Sequence, residues 1–125
     1  MTPLEQAQAH LAKAREFLEV AEFSLDLELF NAATSDAVIC GINCKDAICL
    51  KLTGRTGKAD DHKQAVEELR NAGPAAASLA STLNRLLNVK SKSQYQTASM
   101  AQTDARLAVT RAEKLFDAAT SIVTS

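Results

Sequence analysis

The sequence predicts an all-α protein, an antiparallel bundle of four to five helices at approximately residues 3–29, 32–53, 61–72, 74–92 and 103–123. Three observations lead to this fold class. Leucines recur every seven residues in the first segment, the second segment is apolar on nearly every side, and no segment alternates as a strand would. At 125 residues the chain has the length of one domain, so we predict a single bundle domain over residues 1–125.

The first helix is predicted from its start signal and its heptads. Thr2 supplies an N-cap oxygen, Pro3 suits the first turn and Glu5 completes a capping box. Leucines spaced by seven alternate with alanines, namely Leu4, Leu11, Leu18 and Leu25 with Ala7, Ala14 and Ala21. This period of 3.5 predicts packing against long neighbours, as in four-helix bundles. Val20 and Leu27, together with Phe17, are expected to widen the apolar stripe.

The second helix is predicted to be the central and most buried one. Residues 33–53 are apolar on almost every side, which is typical of a helix surrounded by others. We expect a break at Phe30-Asn31, with Asn31 or Ser35 capping the helix, and we expect Gly54 to end it. Residues 54–59 then form a loop.

The remaining helices are predicted from caps and periodicity. Asp60 or Asp61 caps a short helix, and Pro74 opens the next one. Residues 91–102 are polar and are expected to form a loop or a frayed helix end. Thr103 caps the last helix, whose apolar residues again recur at intervals of three and four with alanine at the contact positions. The first and last helices are therefore predicted to pack side by side.

Composition restricts the function classes. The net charge is −1 and the isoelectric point about 6.1, so the whole chain attracts neither nucleic acid nor an anionic membrane. No apolar run approaches the length of a membrane span, and the first residues do not resemble a signal peptide. Cys40, Cys44 and Cys49 are odd in number and lack metal-ligand spacing, so we expect buried free thiols in a cytoplasmic protein, with no metal and no cofactor.

Polar residues at core-register positions are the first candidate site. Asp36, Asn43 and Asp46 are spaced by seven and three, which puts them on one face of the second helix. Buried carboxylates need partners, so we consider two interpretations. The face is either a hydrated seam or oligomer interface, or a polar cleft whose acids meet cations from elsewhere, namely Arg55, His62 or Lys90.

The polar stretch from Arg55 to His62 is the second candidate. Asp61 and His62 stand at a predicted helix start, where backbone N–H groups favour anions. The alternative interpretation is a solvated loop with an Asp cap. The other histidine, His10, is expected on an outward face of the first helix, and the small basic patch ending at Tyr95 is explained equally well by a helix C-terminus.

Together these features resemble the HEPN superfamily of small prokaryotic helical bundles. The resemblance covers roughly residues 8–120. It is carried by the long first helix, the Ala-rich segment 32–52, the sequence Asp46-Ala47-Ile48-Cys49, the loop from Gly54 to His62, and the stretch from Leu86 to Tyr95.

The resemblance implies a bundle that usually dimerises. Members of the superfamily include RNase toxins, partners of minimal nucleotidyltransferases and proteins of unknown role. Catalytic members carry an Arg and, after four to six intervening residues, a His, near the start of a late helix. Arg55 and His62 have six intervening residues but lie in an early loop, and the late segment ending at Tyr95 has no such pair. The resemblance therefore implies a divergent, non-catalytic branch.

Three hypotheses follow. The first is a HEPN-like binding or accessory homodimer whose polar groove binds a nucleotide or RNA, lined by Asn43, Asp46, Arg55, Asp61, His62, Lys90 and Tyr95. The second is a metal-independent, toxin-type RNase that uses Arg55 and His62 as catalytic residues. The third is a purely structural bundle that acts through protein contacts. A nucleotidyltransferase or antitoxin is a further expected partner, whereas DNA and membranes are not expected.

Overall fold

The fold is described from a computed structural model that covers residues 1–57, 61–95 and 101–125, with the backbone alone for residues 90–95. It contains six helices in this range: α1 Pro3–Asp26, α2 Phe30–Thr53, α3 His62–Asn71, α4 Pro74–Ala77, α5 Ala80–Tyr95 and α6 Gln102–Thr124. None of the described residues forms a strand. The predicted all-α bundle is confirmed.

Helix α1 starts as predicted and packs through its alanines. The Thr2 hydroxyl accepts from the Glu5 N–H at 3.1 Å, and the Glu5 carboxylate faces the Thr2 N–H in return. Ala7, Ala14 and Ala21 are fully buried, while Leu4 is 43% exposed. Because alanine lets backbones approach closely, the heptad seam is centred on the alanines and the leucines flank it.

The predicted widening of the α1 stripe is wrong for two residues. Val20 is 49% exposed and Leu27 is 54% exposed, and Phe23 beside them is 64% exposed. They lie on the side of α1 away from α2 and α6, which between them cover the alanine side. Their apolar surface therefore adds nothing to the core of the described chain.

The predicted junction between the first two helices is also wrong in detail. Helix α1 ends at Asp26, and Glu28 takes a positive φ of 62° that reverses the chain. The Leu29 N–H donates to the Ser24 carbonyl at 2.8 Å, so α2 begins at Phe30 without a side-chain cap. Neither Asn31 nor Ser35 caps α2, because the turn places both inside the helix.

Helix α2 is the central helix, as predicted. It packs against α1, α6, α5 and α3, and thirteen of its residues are buried. Gly41 marks its closest approach to α5, since a Cβ there would lie 2.5 Å from Leu86 Cδ2. Gly54, with a φ of 80°, ends the helix in the left-handed conformation that was expected of a terminal glycine.

The contacts at one end of the bundle define the helix directions. Ala7 near the start of α1 packs with Ala47 and Leu50 of α2 and with Val123 of α6. Helix α1 therefore runs antiparallel to both α2 and α6, which run parallel to each other. The predicted side-by-side packing of the first and last helices is confirmed.

Three predictions about the later helices are corrected. The segment 74–92 is not one helix, because the Leu79 N–H bonds to the Ala76 carbonyl and separates α4 from α5. Helix α5 continues to Tyr95, so residues 91–95 are helical, while residues 96–100 lie outside the described range. Thr103 does not cap α6, which begins one residue earlier with Ala101 as its N-cap. Asp61 does cap α3, accepting from the Lys63 N–H at 3.0 Å.

Candidate functional site

A buried lysine organises the C-terminal end of α2. Lys45 is 2% exposed, and its Nζ donates to Thr56 Oγ1 at 2.9 Å, Glu68 Oε2 at 3.1 Å and Asp46 Oδ1 at 3.2 Å. A buried ammonium is costly unless it is paired and hydrogen-bonded. Two carboxylates and a hydroxyl meet that requirement here, and we call these four residues the Lys45 network.

The loop after α2 is clamped by the same network. The Thr56 hydroxyl donates to Asp46 Oδ1 at 2.6 Å, and the Gly57 N–H donates to Glu68 Oε2 at 2.7 Å. A Cβ at Gly57 would lie 2.5 Å from Glu68 Oε1, so only glycine allows this carboxylate to approach the backbone closely. Glu68 thereby ties α3 to the loop and the loop to α2.

His10 extends the polar cluster onto α1. Its Nδ1 lies 2.9 Å from Asn43 Oδ1 and 3.9 Å from Asp46 Oδ2. The prediction that His10 faces outward is therefore wrong, because the antiparallel pairing of α1 and α2 brings the ring against α2. Its side chain is 33% exposed, so the ring is shared between α2 and solvent.

Of these residues, His10, Asp46, Thr56 and Gly57 line an open cleft of about 640 Å³ between the first turns of α1 and the loop after α2. We call it the loop cleft. The α1 side contributes Gln6, His10 and Lys13. The α2 and loop side is made by Asp46, Leu50, Gly54, Arg55, Thr56 and Gly57, with Met1 and Ala9 completing the lining. Within the described part of the chain, no carboxylate forms an ion pair with Lys13 or Arg55.

The structure brings together part of the predicted groove. Asp46 and Arg55 line the loop cleft, and Asn43 lies behind it through its contact with His10. Asp61 acts as the N-cap of α3. His62 is half-buried and is not among the residues lining the loop cleft. The side chains of Lys90 and Tyr95 lie outside the described residues.

The two candidate catalytic residues, Arg55 and His62, differ in the described cavities that they line. Arg55 lines the loop cleft and also a smaller cavity of about 290 Å³ between α2 and α3, next to Cys49 and Glu68. His62 lines neither of these spaces. Arg55 and His62 share neither of these two cavities, and their joint catalytic role stays a prediction.

The cysteines behave as apolar residues. Cys40 and Cys44 are fully buried, with their Sγ atoms 3.9 Å apart. The hydrogen bond from Cys40, with burial, raises the pKa of Cys44 far above its usual range. Burial also raises the pKa of Cys49 to about 11. Because the thiolate is the reactive form, the Cys44 and Cys49 thiols are poor nucleophiles.

A second cleft lies at the opposite end of α1. It has a volume of about 630 Å³, and four of its nine lining residues are acids, Glu22, Asp26, Glu28 and Glu113; the others are Leu25, Gln102, Arg106, Val109 and Thr110. We call it the acidic cleft. A hydrogen bond with Glu113, burial and neighbouring negative charges raise the pKa of Glu22 to about 7.

Three members of the site escaped sequence analysis. Lys45 and Glu68 were not singled out because charged residues usually face solvent, and Thr56 was noted only as part of a loop. A usable signal was present for Lys45, since it stands beside Asp46 within an otherwise apolar helix. Nothing local marks Glu68, which is 23 residues away.

Comparison with known protein families decides the classification of the chain. The family model described as HEPN domain matches residues 7–122, nearly the whole sequence. The chain belongs to the HEPN domain family. No curated protein matches this HEPN domain significantly. Among its described residues, no helix has the length and hydropathy needed to cross a bilayer.

Proposed function

We propose that this HEPN domain is a non-catalytic binding protein that holds a nucleotide or a short RNA segment in the loop cleft. The observation that supports the proposal is the composition of that cleft. Lys13 and Arg55 line it without ion-pair partners in the described chain, together with a polar wall of His10, Asp46 and Thr56. Asn43 contacts His10, and Lys45 holds Asp46 and Thr56. Cations bind phosphate, and the wall offers hydrogen-bonding groups to a sugar or base.

The charge balance of the cleft favours an anionic ligand. Lys45 pairs with both Asp46 and Glu68, at Nζ–O distances of 3.2 and 3.1 Å, so it offsets only part of the Asp46 charge from behind. Lys13 and Arg55 have no ion-pair partner among the described residues, so their charges are available to an anionic ligand. This local arrangement provides a cationic site in a chain whose net charge is only −1.

The position of His62 distinguishes the proposed binding function from the RNase hypothesis. A catalytic pair needs both groups within reach of one phosphodiester. Arg55 and His62 line no common cavity among those described, which favours binding over cleavage. The homodimer and the nucleotidyltransferase or antitoxin partner stay predictions from the resemblance.

The test is a binding titration with a fluorescently labelled RNA hexanucleotide and with AMP. We expect Arg55→Ala to weaken binding about tenfold, as for the loss of one charge-assisted hydrogen bond. Arg85→Ala is the matched control, because Arg85 is exposed on α5, outside the loop cleft, and the charge change is identical. It should alter affinity less than about twofold.

Salt dependence and product analysis complete the test. Each phosphate contact contributes about −0.7 to the slope of log affinity against log salt for single strands, so Arg55→Ala should reduce the slope by about 0.7. RNA incubated with the wild type should remain intact. Equal affinities of Arg55→Ala and Arg85→Ala, or RNA cleavage that His62→Ala abolishes, would overturn the proposal.

A further inference from the structure

The amide of Asn43 determines which nitrogen of His10 carries a proton. Asn43 Nδ2 donates to the Ile39 carbonyl at 3.0 Å, which leaves Oδ1 as the atom facing His10 Nδ1 at 2.9 Å. If the Asn43 amide were flipped, its Oδ1 would face the Ile39 carbonyl oxygen, and neither atom could donate a hydrogen bond. Since Oδ1 can only accept, His10 Nδ1 must donate. In the neutral ring, Nε2 is then a hydrogen-bond acceptor.

Asp46 supplies a second acceptor beside it. Its Oδ1 is occupied by the Thr56 hydroxyl at 2.6 Å and by Lys45 Nζ at 3.2 Å. Its Oδ2 lies 3.9 Å from His10 Nδ1, beyond hydrogen-bond distance, and retains capacity to accept. The side chains of His10 and Asp46 are 33% and 16% exposed and line the same cleft.

From this geometry we infer that the loop cleft discriminates ribonucleotides from deoxyribonucleotides by accepting hydrogen bonds from ribose hydroxyls. This inference rests on the proposed function. Two adjacent acceptors suit the 2′- and 3′-hydroxyls of a nucleotide or of a 3′-terminal RNA residue, and one of them suits the single 2′-hydroxyl of a ribose within an RNA chain. Carboxylates are used in this way in dinucleotide-binding folds. The 2′-hydroxyl is the group that separates RNA from DNA. Arg55 and Lys13 then take the phosphate, which both sugars share.

The experiment compares matched ligands on the intact protein. The probes are one hexanucleotide in ribo and deoxyribo form, and the pair AMP and 2′-deoxy-AMP. The wild type should bind each ribose form about tenfold more tightly than its deoxyribose partner. A preference in the mononucleotides alone would assign the site to free nucleotides, and a preference in the hexanucleotides as well would assign it to RNA.

Two variants test the residues. His10→Ala removes the acceptor and should bring the ribose preference below about threefold. Asn43→Ala keeps the imidazole but releases its tautomer, so it should reduce the preference by a smaller factor. Asn84→Ala is the matched control, because Asn84 is exposed on α5, away from the cleft, and it should retain the full preference.

The failures of the two proposals are distinguishable. Equal binding of ribose and deoxyribose forms, with an affinity that Arg55→Ala still lowers, would overturn the ribose inference and leave the proposed function standing. A ribose preference that persists in His10→Ala would also overturn it. Absence of binding by either form would overturn the proposed function and this inference with it.

Discussion

The loop cleft and the acidic cleft lie at opposite ends of α1 and have nearly the same size, about 640 and 630 Å³. Their chemistry differs. In the loop cleft a buried ammonium holds Asp46 from behind, whereas in the acidic cleft Glu22 and Glu113 face each other directly. The result is a carboxylate oriented as an acceptor in one cleft and a carboxyl pair that holds a proton in the other.

The comparison shows that volume does not identify a ligand site in this fold. What distinguishes the loop cleft is that its polar wall is built from groups with defined partners on α1, α2 and α3. The acidic cleft has four acids and one arginine, and like charges oppose each other there. The following predictions test this contrast from its largest expected effect to its smallest.

Removing the buried ammonium of Lys45 should have the largest effect on the free energy of unfolding. Lys45→Met leaves Asp46 and Glu68 facing each other without the ammonium that joins them. Breaking a buried ion pair costs about 3–5 kcal/mol, and because both carboxylates are partly exposed we expect a loss of about 2–4 kcal/mol in the free energy of unfolding. Urea denaturation measures it. Lys114→Met, at an exposed position of α6, is the control, and a loss below about 1 kcal/mol for Lys45→Met would contradict the network.

Adding a methyl group at Gly57, where the Glu68 carboxylate approaches the backbone closely, should have an intermediate effect on the free energy of unfolding. Gly57→Ala places a methyl group against the Glu68 carboxylate and pulls it away from the Gly57 N–H. We expect a loss of about 1 kcal/mol in the free energy of unfolding, the worth of one hydrogen bond. The control is a double-mutant cycle, in which Gly57→Ala should cost almost nothing once Glu68→Ala has removed the carboxylate. Additive costs would contradict the clamp.

In the acidic cleft, removal of a charge should raise the stability of the protein instead of lowering it. The pKa of Glu22 rises from 4.5 to about 7, so between these values the folded chain retains a proton that the unfolded chain has released. Stability therefore falls as the pH rises through this interval, and the loss is complete above it. Glu22→Gln removes this dependence and should raise Tm by about 1–3 °C at pH 8, with little change near pH 4.

Differential scanning fluorimetry at the two pH values checks the Glu22 prediction. Glu16→Gln is the matched control, because Glu16 is exposed on the same helix and lies outside the acidic cleft. Equal shifts for the two variants, or a lower Tm for Glu22→Gln at pH 8, would show that the two carboxyls do not oppose folding.

The fold could be predicted from the sequence because it depends on patterns that are repeated along each helix. The alanines of α1 recur every seven residues, and the apolar run of α2 predicts a helix that other helices cover on most sides. Several of the incorrect predictions concern helix ends. Leu29 and Ala101 precede α2 and α6 without a side-chain cap, so the sequence has no capping residue that would indicate these helix starts. The break after Ala77 depends on the backbone hydrogen bond from Leu79 to Ala76, which no sequence pattern indicates.

Only part of the candidate site could be predicted from the sequence. Asp46 and Asn43 stood out because polar residues at core-register positions conflict with the helical pattern. Lys45 and Glu68 satisfy each other across 23 residues, and that pairing exists only once α3 packs against the loop. His10 was misplaced because periodicity identifies an apolar face but does not indicate which polar neighbours lie at its edge.

The reach of Lys45 has a consequence for the order of folding. Its partners follow it by 1, 11 and 23 residues, whereas α1 and α2 form a hairpin from adjacent sequence. Local contacts form before distant ones, since less chain entropy is lost in closing them. We therefore expect the hairpin to form first and the loop after α2 to be clamped only when α3 docks. Hydrogen exchange at the Gly57 amide, which Glu68 protects, should report that docking step separately from global unfolding.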